Sequence, residues 1–144
     1  MLLTLMCTCV AADAVELVEG PKICQQCPME RTFFPESRML VVYEDGTRVG
    51  VCSIHCAAEE LSKNKKKQVK VLLVADFTTK KLVDAKTSTW VAGGKKKGVM
   101  TFLAKWAFAR EQDAHVFTKK YGGKVITFDQ IMKLANSEVR SMRK

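Results

Sequence analysis

The chain of 144 residues is 47% hydrophobic and 27% charged, a balance typical of a folded globular protein and one that excludes a disordered chain. Its formal net charge is +9, but the lysines form two runs, at 64–68 and 93–98, without interleaved arginine or aromatic residues. We interpret these runs as solvated loops and expect no nucleic-acid partner.

The first 14 residues are mostly apolar and end in Ala12-Asp13-Ala14, which resembles the hydrophobic region and cleavage site of a secretory signal. The segment is too short to span a membrane by itself. It contains Cys7 and Cys9, either of which would carry the lipid if the protein were a lipoprotein. The segment therefore predicts a periplasmic protein, either free or attached to the membrane peripherally or by a lipid anchor.

Residues 15–37 are predicted to form a linker that carries the first cysteine motif. An Asp-Gly turn signal at 45–46 follows and indicates a hairpin, and Ser53 is a suitable N-cap for a helix. Three strands and one helix are predicted in the order strand, strand, helix, strand, at 38–43, 48–52, 54–63 and 69–77. Together they make a first ββαβ unit over 38–78.

The remaining residues, 79–144, repeat this order. An extended run, a β-type run, a helix and a strand are predicted at 81–93, 99–109, 110–123 and 124–128. Gly122 is expected to close the helix, and Asp129 is expected to cap a last amphipathic helix. The sequence therefore predicts an α+β fold of two small ββαβ units in tandem.

Soft metal ligands are concentrated in a C-x2-C motif and in a second motif at the start of the predicted first helix. The candidate ligands are Cys24, Cys27, Met29, Cys52, His55 and Cys56. A C-x-x-C loop aims both sulfurs at one point, and cysteines four residues apart share one face of a helix. The helix N-terminus is also expected to lower the pKa of the thiols in the second motif.

Thiolate and thioether ligands together favour Cu(I) over hard ions, so we interpret the two motifs as a labile Cu(I) site. Two alternatives stay open on the residues alone. The motifs could hold a structural zinc ion with four cysteines, or with three and His55. They could also form disulfides or the centre of a thiol-based enzyme. No glycine-rich phosphate loop or serine nucleophile elbow is present, and we expect a binding protein, not an enzyme.

Several stretches of the chain resemble the NosL family of nitrous oxide reductase accessory lipoproteins. They are C-x-x-C-P-M at 24–29, followed by 37–57, 74–94, 98–100 and 114–131. The resemblance implies a periplasmic Cu(I)-binding protein, commonly membrane-anchored, that supplies copper for cluster assembly in nitrous oxide reductase. It also implies a fold of two ββαβ units related to that of the organomercurial lyases, and lyase-like chemistry is the enzymatic alternative that follows from this relation.

The resemblance further implies sulfur and imidazole ligands from a C-x-M motif and a Met-x-His pair. Cys27 and Met29 match the first motif, and Met100 matches the methionine of the pair, but Phe102 stands in place of its histidine. We therefore expect the cysteines of the second motif to enlarge the site, with Cu(I), or alternatively Zn(II), as its metal. This departure leaves the acceptor open between nitrous oxide reductase and another copper enzyme.

Overall fold

The computed structural model describes residues 19–143, so the signal-like segment with Cys7 and Cys9 lies outside the described residues. Within this range the chain forms seven strands and three α-helices. The strands are β1 Met39–Tyr43, β2 Arg48–Val51, β3 Val69–Ala75, β4 Leu82–Asp84, β5 Thr89–Ala92, β6 Lys105–Phe108 and β7 Lys124–Ile126. The helices are α1 Ile54–Lys63, α2 Glu111–Tyr121 and α3 Phe128–Met142, and a 3₁₀ turn, Arg31–Phe33, precedes β1.

The strands form two antiparallel sheets, with the orders β2-β1-β3-β4 and β6-β5-β7. In each sheet a central strand is flanked by its hairpin partner and by the strand that follows the next helix. The series β1-β2-α1-β3 and β5-β6-α2-β7 therefore have the same topology, which confirms the predicted α+β class and the repeated ββαβ order. Strand β4 is an addition that pairs with β3. The relation to the organomercurial lyases and the boundary between units at residues 78 and 79 stay predictions.

The main core lies between the first sheet and the helices α1 and α3. Met39 and Val41 of β1 face this core and are fully buried. Leu40 points to the opposite face, as the alternation of a strand requires, and is also fully buried. There it meets the segment before the 3₁₀ turn, since a Cβ added at Gly20 would lie 2.7 Å from Leu40 Cδ1. The N-terminal segment thus covers the outer face of β1.

The second sheet is also covered on both faces. Helix α2 packs on one face over a smaller core that includes Val91, Trp106 and Phe117. The other face contributes Trp90 and Ala107 to the main core beneath α3. The two sheets are therefore joined through a shared hydrophobic interior.

Asp76, directly after β3, joins the first sheet to the second. It forms a parallel bridge with Ala107 of β6, and the N–H of Phe77 donates to the Ala107 carbonyl at 2.8 Å. The buried carboxylate accepts hydrogen bonds from the N–H of Ala109 at 2.9 Å and from the N–H and hydroxyl of Thr79 at 2.8 and 2.6 Å. Burial alone would raise the pKa of Asp76, but these hydrogen bonds outweigh it and lower the pKa.

Two local predictions are wrong. The N-cap of α3 is Thr127, not Asp129, because its hydroxyl accepts from the N–H of Gln130 at 3.3 Å while the Gln130 side chain accepts from the N–H of Thr127 at 3.0 Å. This reciprocal capping box satisfies two N–H groups at the helix start. In the run 99–109, only Lys105–Phe108 is a strand, and residues 98–104 form a loop.

Across residues 19–143, no helix combines the length and the apolar character needed to cross a bilayer.

We expect Asp76→Asn to lower the free energy of unfolding by about 1–3 kcal/mol. The side-chain amide would place a buried NH₂ donor against backbone N–H groups, which would then lack an acceptor. The pKa of Asp76 is lower in the folded chain than in the unfolded one. Its carboxylate therefore stabilises the fold above about pH 4, and this contribution is lost as the pH falls further. Urea unfolding at pH 7 and pH 3 measures the effect, and the difference between variant and wild type should shrink at pH 3.

Asp84→Asn is the matched control for this experiment. Asp84 Oδ1 accepts from the N–H groups of Lys86 and Thr87 in its own turn, at 2.7 and 3.2 Å, and does not join the sheets. An equal loss of stability in the two variants would contradict the role assigned to Asp76.

Candidate metal site

The first cysteine pair lies in a tight loop before the 3₁₀ turn. Ile23 and Glu30 form an isolated antiparallel bridge that closes this loop. Inside it, the N–H of Cys24 donates to the Met29 carbonyl at 2.9 Å, and the N–H of Met29 donates to the Cys27 carbonyl at 2.8 Å. These bonds fold the C-x-x-C segment back on itself and leave both sulfurs on one side.

The second pair lies at the corner between β2 and α1. Cys52 follows the last residue of β2, and Ser53 is the N-cap of α1 as predicted, although its side chain makes no capping hydrogen bond. Cys56 is four residues after Cys52, in the first turn, so that the two sulfurs share one face. The hydroxyl of Ser37 donates to the Cys52 carbonyl at 2.8 Å and helps to fix the corner.

The structure brings the sulfurs of Cys24, Cys27, Cys52 and Cys56 together, with all four Sγ atoms within 4.8 Å of one another. All four are free thiols. The Sγ atoms of Cys27 and Cys52 are 3.4 Å apart, and Cys56 Sγ lies 3.6 Å from each of them. Four sulfurs at about 2.3 Å from a shared ion would be separated by about 3.8 Å. The cluster therefore already has the dimensions of a four-sulfur metal site.

The four thiols differ in their access to solvent. Cys24, Cys52 and Cys56 are 4%, 0% and 1% exposed, whereas Cys27 is half-buried. Of the four, Cys27 is therefore the thiol that an incoming ligand can reach most easily.

The pKa values of Cys24, Cys52 and Cys56 are not shifted in the same direction. Interaction with the thiols of Cys52 and Cys56 lowers the pKa of Cys24 far below its usual value. The pKa values of Cys52 and Cys56 are raised, mainly by their interaction with Cys24 and further by burial. The expectation that the helix N-terminus lowers the pKa of both thiols in the second motif is therefore wrong. A cation that enters the cluster would displace the protons these thiols keep.

The loop with the first pair is fastened to both β2 and α1. The N–H of Gln25 donates to the Gly50 carbonyl at 3.1 Å. The side-chain amide of Gln26 donates to the Glu60 carboxylate, and Lys63 Nζ donates to Gln26 Oε1 at 2.7 Å. No motif in the sequence marked Glu60. A signal was nevertheless present, because Glu60 continues the four-residue spacing of Cys52 and Cys56 along α1.

His55 is not among the groups whose donor atoms lie together in the cluster. Its imidazole is buried, and Nδ1 has no hydrogen-bond partner within residues 19–143 and lies 3.9 Å from Glu138 Oε2 of α3. Glu138 in turn forms an ion pair with Lys105 Nζ at 2.7 Å. Burial lowers the pKa of His55, although Glu138 acts in the opposite direction. The role of His55 as a metal ligand stays a prediction.

The two candidate methionines lie in different settings. Met29 is half-buried and packs against the main core. Met100 lies in the loop 98–104, is 40% exposed and has a φ of 51°, in the left-handed region that side chains other than glycine rarely adopt. For both residues, metal ligation stays a prediction.

Residues 15–135 match the sequence profile of the NosL family. The chain belongs to the NosL family. This membership confirms the resemblance inferred from the sequence. The fold is similar to that in the crystal structure of the copper chaperone NosL from Shewanella denitrificans, with a TM-score of 0.63 and 24% identity, covering 74% of this chain and 87% of that chain. No curated protein matches the chain.

Because the loop and the corner are held by the protein itself, we expect the reduced, metal-free chain to be folded. Removal of metal by a chelator should leave the far-ultraviolet circular dichroism unchanged. Addition of Cu(I) or Zn(II) should raise the melting temperature, since a ligand at about 100 times its dissociation constant stabilises a protein by about 2.7 kcal/mol.

Cys52→Ser is the control for this measurement, because Cys52 Sγ contacts both Cys27 Sγ and Cys56 Sγ. The variant should fold but show a much smaller rise in melting temperature with metal. Unfolding of the wild type on metal removal would contradict a preformed site.

Proposed function

We propose that this NosL-family chain is a metallochaperone that binds Cu(I) at the cluster of Cys24, Cys27, Cys52 and Cys56 and passes it to a copper-accepting enzyme. The observation that carries the proposal is the close approach of four free thiols from two separate segments. The similar Shewanella denitrificans protein is described as a copper chaperone, which agrees with this proposal.

The donor set supports a soft metal as cargo. Thiolates select Cu(I) and Zn(II) over the hard cations, which prefer carboxylate and carbonyl oxygens. Met29 lies two residues after Cys27 in the C-x-M motif, and a thioether contact would shift the preference further towards Cu(I). We therefore propose Cu(I) as the natural cargo and Zn(II) as the alternative metal.

Transfer would proceed by ligand exchange, not by catalytic turnover. A thiolate or other soft ligand of the acceptor would approach on the side of Cys27, the most exposed of the four thiols. A new bond to Cu(I) would form as the bond to Cys27 Sγ breaks, and Cys27 would take up a proton or stay a thiolate. The more buried sulfurs would then release the ion in turn, with no change in the oxidation state of copper.

The acceptor and the location are proposed from the sequence. Nitrous oxide reductase is the acceptor that the family resemblance implies, and another copper enzyme is the alternative. The signal-like segment at 1–14 supports a periplasmic location, and we propose peripheral or lipid-anchored attachment to the membrane as the alternative to a free protein.

A structural zinc site is the second candidate function, and the presence of four cysteine sulfurs favours it. Closed Cys₄ sites are typical of zinc that holds a fold together. Such a site predicts a chain that unfolds without metal, whereas a chaperone must remain folded after it has given up its cargo.

Anaerobic titration of the reduced chain with Cu(I), in competition with a chromophoric chelator, tests the proposed function, with Zn(II) titrated in parallel. We expect Cu(I) to bind tightly to the folded apo protein. In Cys52→Ser the Cu(I) affinity should fall by more than about 100-fold, because loss of a metal ligand weakens binding at least as much as loss of a residue that only orients a ligand. Absence of tight Cu(I) binding in the wild type would refute the proposal.

Met100→Leu is the matched control, because it removes an exposed sulfur and keeps a similar apolar volume. If Cu(I) is held by the cysteine cluster, this variant should bind Cu(I) as the wild type does. A loss comparable to that of Cys52→Ser would instead show that Met100 completes the site.

A further inference from the structure

Arg31 is fully buried. Its guanidinium donates to four backbone carbonyls, which belong to the segment before the loop and to the strands β1 and β2. The acceptors are the carbonyls of Glu19, Pro21, Met39 and Val51, at 3.0, 2.7, 2.8 and 3.2 Å. The cation is thus held in one position by neutral groups.

Arg31 forms hydrogen bonds with both of the segments that carry the cysteines. Its own N–H donates to the Lys22 carbonyl at 2.7 Å, two residues before Cys24, and its side chain bonds the carbonyl of Val51, the residue before Cys52. The guanidinium lies directly against β2, where a Cβ added at Gly50 would come within 2.6 Å of Arg31 Nη1.

Within residues 19–143, the buried Arg31 and Arg38 have between them one carboxylate as an ion-pair partner, that of Glu19. Arg38, also buried, forms an ion pair with the Glu19 carboxylate at 3.2 Å. Two guanidinium groups and one carboxylate leave a net charge of +1. A buried charge is costly unless a group of opposite sign compensates for it.

The cysteine cluster can supply that compensation. Burial and the charge of Arg38 lower the pKa of Arg31, whereas Glu19, Cys24 and Cys52 act to raise it. The guanidinium remains protonated even so, because its usual pKa is far above neutrality. Negative charge on the cluster and the charge of Arg31 therefore attract each other.

We propose that Arg31 is the built-in counter-cation of the metal-loaded cluster and a positioning residue for both cysteine segments. This inference rests on the proposed function. Each thiol that loses its proton to bind the metal adds one negative charge, so four thiolates around Zn(II) carry −2 and three around Cu(I) also carry −2. The fixed guanidinium stabilises this anion and raises the affinity for soft cations that bind as polythiolate complexes.

The paired variants Arg31→Lys and Arg31→Gln separate charge from hydrogen bonding. Lysine keeps the positive charge but not the planar fork, and glutamine keeps two N–H donors but not the charge. Cu(I) and Zn(II) affinities of the full chain are measured anaerobically, with circular dichroism to verify the fold. We expect the affinity to fall by about 10-fold to 100-fold in Arg31→Gln and clearly less in Arg31→Lys.

Lys105→Gln is the control for the loss of a buried cation. Lys105 is buried, but Glu138 already balances its charge at 2.7 Å. This variant should lose stability and retain its metal affinity. Equal losses of affinity in Arg31→Lys and Arg31→Gln would overturn the counter-cation role, and so would an unchanged affinity in Arg31→Gln.

A second measurement needs no variant and applies if Arg31→Gln does not fold. X-ray absorption of the Zn(II)-loaded wild type counts the sulfur neighbours of the ion, and we expect four. Three or four thiolates leave a net negative charge for Arg31 to stabilise, and two or fewer would overturn the inference. Failure of the wild type to bind either metal would instead remove the proposed function itself.

Discussion

Four sulfurs can share one ion only if the two segments that carry them are fixed against each other. The contacts of Gly50 fix these two segments. Its carbonyl accepts the N–H of Gln25 from the first cysteine loop. Its lack of a side chain lets the guanidinium of Arg31 lie against β2, with Nη1 at 2.6 Å from where a Cβ would stand. Since Cys52 follows β2 directly, the geometry of both cysteine pairs depends on this contact.

The two ββαβ series use the same topological position for different purposes. In the first, the corner between the second strand and the helix carries Cys52 and Cys56. In the second, the corresponding corner after β6 carries no cysteine, and the N–H of Ala109 there donates to the carboxylate of Asp76. One corner thus holds the thiols, and the other fastens the two sheets together. The repeat supplies a second layer that buries the back of the main core without adding a second site.

The sequence could predict the repeated fold and the four-cysteine cluster because both are encoded by local spacing. A C-x-x-C loop and two cysteines one helical turn apart converge for geometric reasons. The setting of His55 could not be predicted in this way, since a residue in the first turn can face either the loop or α3, and packing against Glu138 decides. Arg31 and Glu60 carry no motif, and their contacts join segments distant in the chain. Asp129 was the wrong cap because Thr127 and Gln130 form a complete capping box.

A carrier of metal must keep its shape after the metal has left, and the forces that hold this site satisfy that requirement. Cys24, Cys52 and Cys56 belong to the main core, and the loop is held by hydrogen bonds from Gln25, Gln26 and Arg31. None of these contacts needs an ion. In a structural zinc site, the free energy of metal binding is also the free energy of folding, so release of the ion costs the fold. Because these contacts are made by the protein itself, we expect the two free energies to be largely separate here, and the half-buried Cys27 gives a partner's ligand a place to begin the exchange. These features favour a site that binds a metal ion for transfer over a structural metal site.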